Sequence, residues 1–533
     1  MRKFIVFLGL SAGLFAQNSI PIPFDWAGQN GIIISDGALF WNRAWTSGML
    51  MFDGTYTSYP KRFESNTTRG FQPGKTGILP TWSGLPDSNN VESFFDYYRG
   101  DYSYNQLEVG AKFEELNRRL DIRGFKRTYF GNTGHYIHPD GASSPIHHSY
   151  RANYAAKKGA QKLEVSAGRF ITHSGLPDTT GNGFENDNII SGGVRYQRPL
   201  GDWIMDTYVG QFFQHRLVHH STMVDSNYRD INRNRVDLLF QSPSGLGFGI
   251  NHNTQQINAD TLKRALTWTT VFAQKKLAGF NFMAGLPILN SDDKGYAVWD
   301  VSYHKQFNRA YVHFSTSGIP NPKHPDTDNP DDNSNFESWN RSVIKSGIMN
   351  GPLSGDAFIS LVRKKKDEIQ KDDSQIVFVG ANIQFEFGNG WSTYTNALVQ
   401  LDSSIYGSGF GAISAIGVKG KLNLFKNNMK IKAHLWADGS NGKLASFGFD
   451  PIRQVPFYNT NSDWALPDQW LLHFEAVANI SGVLVSFKVN NISNLLGSIS
   501  DASSDDLVWA RPNHVYPRLG RMMQFGVTWT FNN

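Results

Sequence analysis

Residues 521–531 read RMMQFGVTWTF, followed by Asn532 and Asn533. Met523, Phe525, Val527, Trp529 and Phe531 fall on one side of an extended chain; Met522, Gln524, Gly526, Thr528 and Thr530 fall on the other. Alternate residues of a strand point to opposite faces, so a period of two with one greasy and one mostly polar face describes a strand between two different solvents.

The same alternation recurs upstream. Leu107, Val109, Ala111 and Phe113 oppose Glu108, Gly110, Lys112 and Glu114. Val379, Ala381, Ile383 and Phe385 oppose Gly380, Asn382, Gln384 and Glu386. Ile431, Ala433 and Leu435 oppose Lys430, Lys432, His434 and Trp436, and Val483, Val485 and Phe487 oppose Ser486 and Lys488. Connections alternate in length: short turns at 159, 201, 242–245, 388–390 and 481–482 separate longer polar stretches such as 131–148, 315–339 and 438–468. Short turns at one end and long loops at the other are the pattern of an outer-membrane β-barrel. Strands placed by this rule run from 49–59 and 95–116 through 521–531. The expected fold is therefore all-β: a transmembrane antiparallel barrel of about 22 strands, in a range of about 20 to 24, with short periplasmic turns and long extracellular loops. A soluble sandwich, with the greasy faces packed together, fits the alternating connections poorly.

Composition agrees with this. The chain has 533 residues, of which 40% are hydrophobic and 14% aromatic, with 51 glycines and a formal net charge of +5. A barrel needs only alternate residues apolar, so it can look hydrophilic overall. The small net charge and lack of a long basic block argue against nucleic acid as a partner. Cysteine is absent, which excludes disulfides, thiolate metal sites and cysteine nucleophiles. At the N-terminus, Arg2 and Lys3 precede an apolar run from Phe4 to Phe15, which reads as a signal peptide (1–16) cleaved after Ala16. That run is too short to span a bilayer, which takes about 20 residues. Residues 17–48 are expected to form a periplasmic or lumenal arm, and 49–533 the barrel.

Two stretches carry a family resemblance. VNNISNLLG, from Val489 to Gly497, and PRLGRMMQFGVTWTF, from Pro517 to Phe531, resemble the penultimate-strand ending and the closing strand of the barrel of TonB-dependent receptors. The resemblance implies an outer-membrane transporter of a Gram-negative-type bacterium. Members of that family carry an N-terminal plug, which takes on the order of 100 residues. With the first strand at 49–59 only about 30 residues precede it, so the plug domain is expected to be missing.

The inward, polar face supplies the candidate site. Glu108, Lys112, Asn382, Gln384, Glu386, Lys430, Lys432, His434, His473, Glu475, Lys488 and Gln524 are expected to line the lumen. Arg363, Lys364, Lys365 and Lys366 sit at an outer strand end, where they could pair with lipopolysaccharide phosphates; a solvated charged edge is the alternative. Asp326, Asp328, Asp331 and Asp332 offer oxygen ligands for calcium in an outer loop, although their spacing fails the EF-hand pattern and a solvated turn-rich loop explains them as well. His135, His138, His147 and His148, and then His215, His219 and His220, could bind a transition metal, but read more simply as surface histidines. No cofactor is expected, and no catalytic motif is present, so the chain does not read as an enzyme.

A lumen this wide is not filled by side chains alone. Outer loops, the N-terminal arm or a separate protein that plugs or caps the barrel are the three ways to occupy it. The expected function is a channel or transporter for small solutes without its own full plug. The alternative is a scaffold barrel that anchors surface or periplasmic partners through its loops. Expected partners are outer-membrane lipid, lipopolysaccharide and the machinery that inserts barrels.

Overall fold

The computed structural model describes residues 85–101, 103–128, 146–175, 183–220, 227–259, 263–289, 296–322, 336–365, 374–388, 390–403, 412–440, 468–494 and 520–532, together with the backbone of short strands at 19–21, 32–35, 38–42, 49–51, 57–58, 447–450 and 455–458. The expected signal peptide, the four calcium candidates, Lys366, His135 and His138 lie outside the described residues.

Twenty-two antiparallel strands close into one barrel. They are β1 (Asn90–Gly100), β2 (Asn105–Glu115), β3 (Arg118–Thr128), β4 (Ile146–Lys158), β5 (Gln161–Gly175), β6 (Gly183–Leu200), β7 (Trp203–His220), β8 (Asn227–Gln241), β9 (Leu246–Ala259), β10 (Lys263–Leu277) and β11 (Phe280–Leu289). The second half comprises β12 (Val298–Gln306), β13 (Ala310–Pro322), β14 (Phe336–Asn350), β15 (Leu353–Lys365), β16 (Ser374–Phe387), β17 (Trp391–Ser403), β18 (Ala412–Leu424), β19 (Met429–Ser440), β20 (Gln469–Ile480), β21 (Val483–Asn490) and β22 (Met522–Asn532). Each strand pairs with its sequence neighbour, and β22 returns to β1 with Trp529 opposite Phe95 and Val527 opposite Tyr97. Closure leaves no unpaired edge, which is the condition for strands to cross hydrocarbon.

Two strand placements are corrected. Residues 49–51 and 57–58 belong to a separate five-stranded sheet with 19–21, 32–35 and 38–42, not to the barrel, whose strands begin at Asn90. The single strand expected at 95–116 is the hairpin β1–β2. The turn between them is spelled DYSY, without Gly or Pro. It is built instead by Ser103 at φ +54° and by the Tyr104 amide donating to the Asp101 carbonyl at 3.1 Å, so turn composition alone does not reveal it. The two misplacements offset, and the count of 22 is unchanged.

Short turns gather at one end of the cylinder. At Ala278-Gly279 (φ +49° and +85°) and Ser481-Gly482 (φ +52° and +90°) both central residues are left-handed, the conformation that matches the twist of a two-residue hairpin. Long connections gather at the other end, including those after β3, β13, β19 and β21. The 18-residue strands β6 and β7 exceed the roughly 9–11 residues that a tilted strand needs to cross a bilayer, so they project beyond it.

Burial is inverted relative to a water-soluble fold. Ile344 (53% exposed) and Phe525 (61%) face outward, whereas Gln214 (0%) and Arg216 (2%) face inward and are buried. Hydrocarbon satisfies the first set. Across β5 to β8, Val165, Val194, Val209 and Val236 stand side by side in register on the outward face.

The Val489–Gly497 motif secures the last hairpin. Asn491, at φ +58°, donates its amide to His473 Nδ1 at 3.3 Å, and its side-chain oxygen accepts from the Asn494 amide at 3.2 Å. The Asn494 side chain in turn accepts from the Arg521 amide at 3.3 Å, and Asp101 accepts from the Met523 amide at 2.9 Å. This chain of bonds ties the exit of β21, the entry of β22 and the β1–β2 turn together at the loop end of the closing seam.

Candidate functional site: the inner wall

The inward face divides into two sectors with different chemistry. On β3 to β8 much of it is buried, and Arg123, Arg195 and Arg235 are paired with carboxylates. Arg195 Nε and Nη2 donate to the two carboxylate oxygens of Asp206 at 2.8 and 2.6 Å, and both residues are buried. Arg235 Nε donates to Asp237 Oδ2 at 2.7 Å, and Asn251 donates to the other oxygen of the same carboxylate. Arg123 donates to both oxygens of Asp121 at 2.9 and 3.3 Å, with Arg151 3.9 Å from that group. Arg216, Arg229 and Arg233 are buried in the same sector, and Arg264 on β10 adjoins it. Pairing of this kind is what lets charge stay out of bulk water, because a buried ion without a partner costs several kcal/mol, roughly 3–5 when one member is removed.

On β16 to β19 the inward face is wet. Gln384 and Glu386 on β16, Lys419 and Lys421 on β18, and Lys430 and Lys432 on β19 are all exposed to solvent although they point into the cylinder. Register fixes this orientation. Ile383, Phe385, Val418, Leu422 and Leu435 are among the exposed apolar residues of these strands, and the polar residues alternate with them.

Between the wet wall and the closing seam stands a stack of rings. The His434 and Trp436 centroids are 4.3 Å apart with planes at 15°, and Trp436 and His473 are 5.1 Å apart at 18°. Tyr394 hydroxyl lies 3.0 Å from His434 Nε2. His473 accepts at Nδ1 from the Asn491 amide, and its Nε2 lies 3.4 Å from Asp438 Oδ2. Lys419 sits over the Tyr394 ring at 4.7 Å and Lys488 over Trp436 at 5.8 Å. Glycine makes room for this: a Cβ on Gly417 would stand 2.6 Å from the Tyr394 ring and 2.8 Å from Trp436 Cβ.

All twelve residues expected on the lumen side point inward. Their surroundings differ. Lys112 is within 3.3 Å of Glu114 and 3.8 Å of Glu92, Glu108 is 3.9 Å from Arg123, and Asn382 donates to Asp356 at 2.9 Å. His473 and Gln524 are buried. His434, His473, Glu475 and Lys488 are drawn together around the ring stack, Gln384 is the cross-strand neighbour of Tyr394, and Glu386 lies opposite Ser392 beside the short turn. Arg363 is exposed on the outward face near the loop end of β15, and Lys364 and Lys365 complete that strand. His147 and His148 are on β4, and His215, whose Nδ1 is 2.5 Å from Asp230, is on the outward face of β7. Among the described residues no group of three or more His, Asp or Glu side chains is arranged to hold a metal ion.

The arginine–carboxylate sector is absent from the candidate residues read in the sequence. Its signal was present in Arg229, Arg233, Arg235 and Asp237, charges at spacings of two or four within one strand, which all fall on one face.

No protein-family model matches the chain, and no curated protein sequence matches it. Solved structures do match. The FrpB iron transporter from Neisseria meningitidis (F3-3 variant) superposes with a TM-score of 0.61 at 12% identity, over 83% of this chain and 82% of its own. The copper transporter OprC gives 0.60 at 10% identity, over 85% and 82%. The ferric yersiniabactin uptake receptor FyuA from Yersinia pestis gives 0.59 at 11% identity, over 84% and 81%. At these identities the similarity is one of fold. The chain shares with these structures the fold of a closed 22-stranded antiparallel barrel, and its apolar exterior and polar interior are those of an outer-membrane barrel.

Proposed function

We propose that this protein is a transporter-type barrel whose polar lumen carries small solutes across the outer membrane. The observation that carries this reading is the wet inward face of β16 to β19. Charged and amide side chains there point into a closed cylinder and still meet water. A barrel serving purely as a scaffold has no need of such a face. The solved structures that share its fold are an iron transporter, a copper transporter and a ferric yersiniabactin uptake receptor, and they support a transport role over an enzymatic one.

We further propose that the barrel lacks a full plug of its own. The earlier premise of about 30 preceding residues no longer supports this, because the barrel strands start at Asn90 and residues 17–89 precede them. Support comes instead from the solvent exposure of Gln384, Glu386, Lys419, Lys421, Lys430 and Lys432 at the periplasmic mouth. Arg363, exposed on the outer wall at the loop end, is proposed to pair with lipopolysaccharide phosphate.

Planar-bilayer recording on the purified protein tests the transport reading. Stable unitary currents are expected. A barrel that is correctly folded in the bilayer yet electrically silent, and equally silent after residues 17–84 are deleted, overturns it.

A further inference from the structure

Positive charge on the inner wall is concentrated where it is least neutralised. Lys419 and Lys421 on β18, Lys430 and Lys432 on β19, and Lys488 on β21 all point inward. On β18 to β21 the inward carboxylates are Asp438 and Glu475, so five lysines face two acids. Asp438 Oδ2 lies 3.4 Å from His473 Nε2. Glu475 is the direct cross-strand partner of both His434 and Lys488, yet no carboxylate among the described residues comes within 4 Å of any of the five ammonium groups. The arginine sector is the internal control. There, in the same lumen, Arg195 and Arg235 have carboxylates at 2.6–2.8 Å. Lys419, Lys421, Lys430 and Lys432 are exposed and Lys488 is half-buried, so this wall presents a positive field to the lumen.

Geometry makes that field compact. Neighbouring strands are about 4.8 Å apart and successive inward residues about 6.7 Å apart, so the five lysines occupy a patch on the order of 15 Å across. Lys421 and Lys430 flank the short turn at 425–428, at the periplasmic end. Lys419 and Lys488 lie higher, over the Tyr394 and Trp436 rings. The cations therefore run from the ring stack to the periplasmic mouth, inside the cylinder and away from the lipid-facing surface.

We propose that this wall is an anion site, and that the solute admitted by the barrel is multiply anionic, of the phosphate or polycarboxylate class. Lys419, Lys432 and Lys488 form its centre, and the Tyr394, His434 and Trp436 rings form a platform at its outer end. The proposal rests on the transport reading and adds the charge class of the solute. An ammonium group binds phosphate or carboxylate oxygens as a point charge, and a low-dielectric wall lined by one sign of charge raises the local concentration of the opposite sign. The affinity falls as salt screens these exposed charges.

Binding is measured on the intact detergent-solubilised protein, with tripolyphosphate as probe and choline as the cation control. Calorimetry gives the affinity, and the fluorescence change that Trp436→Phe removes locates the ligand beside that ring. Saturable tripolyphosphate binding is expected, weakened about tenfold or more by Lys419→Gln/Lys432→Gln/Lys488→Gln, because three of the charges that hold it are lost. The corresponding triple Arg variant keeps the charge and is expected to keep binding, which separates charge from folding. Absence of tripolyphosphate binding, or an affinity that the triple Gln variant leaves unchanged, overturns the anion site. That result with bilayer currents intact leaves the passage standing. Silent bilayers with anion binding intact overturn the passage and leave the site.

Discussion

At the residue scale, which side of the wall a side chain occupies decides what it tolerates. Ile383 and Gln384 are neighbours in sequence, but one faces hydrocarbon and the other the wet lumen. Ile383→Arg is expected to cost about 2–4 kcal/mol, and Gln384→Arg close to nothing, when unfolding is followed by denaturant titration in lipid vesicles. Equal costs at the two positions would contradict the assignment of faces. Within the buried sector the argument changes from solvent to partner. Asp206→Ala leaves the Arg195 guanidinium buried with its main partner gone, for a loss of about 3–5 kcal/mol. Replacing both, as Arg195→Met with Asp206→Leu, is expected to recover most of that loss in the same titration. A double variant no better than the single would mean that the pair does more than neutralise itself.

At the scale of elements, the closing seam is the part to probe. The hairpin β21–β22 is joined by a connection of about thirty residues, and a long loop of this kind brings its ends together at an entropic cost that side chains must offset. Asn491, Asn494 and Asp101 supply that offset through bonds to the Asn494, Arg521 and Met523 amides. Asn494→Ala is expected to destabilise the seam by about 1–2 kcal/mol and to speed hydrogen exchange at the Arg521 amide, leaving exchange in β6 and β7 unchanged. Exchange that rises uniformly around the barrel would show that the network stabilises the whole and not its seam. Gly526 belongs to the same seam. A side chain there would collide with the Tyr98 ring and with Ser486, so Gly526→Val is expected to lower the yield of heat-modifiable, folded barrel on gel electrophoresis, while Tyr98→Ala in the same chain restores part of it.

For the whole molecule, the consequence is an asymmetric lumen. A buried sector in which Arg123, Arg195 and Arg235 meet carboxylates stands across the barrel from a wet sector with exposed lysines. Salt should therefore act on one and spare the other. Raising ionic strength is expected to weaken anion binding steeply and to shift the denaturation midpoint little, because the buried pairs are screened far less than exposed charges. A midpoint that tracks the loss of binding would contradict the division.

Much of this was legible before any coordinates. Alternation at Val379–Glu386, at Ile431–Trp436 and in the last eleven residues fixes strands with two solvents, since side chains of an extended backbone have no other choice of face. Turns containing Gly were legible for the same local reason, and the one spelled DYSY was not, because its shape is held by bonds within the turn and not by residue type. The polarity of each inward residue was equally available, Lys419 and Lys432 included. Only the tertiary structure decided which charges meet. Arg195 and Asp206 come together across two strands, the rings of Tyr394, His434, Trp436 and His473 come from three, and five lysines end with no carboxylate of the described residues within 4 Å. Register and closure set those distances, and they are properties of the whole sheet that no single strand encodes.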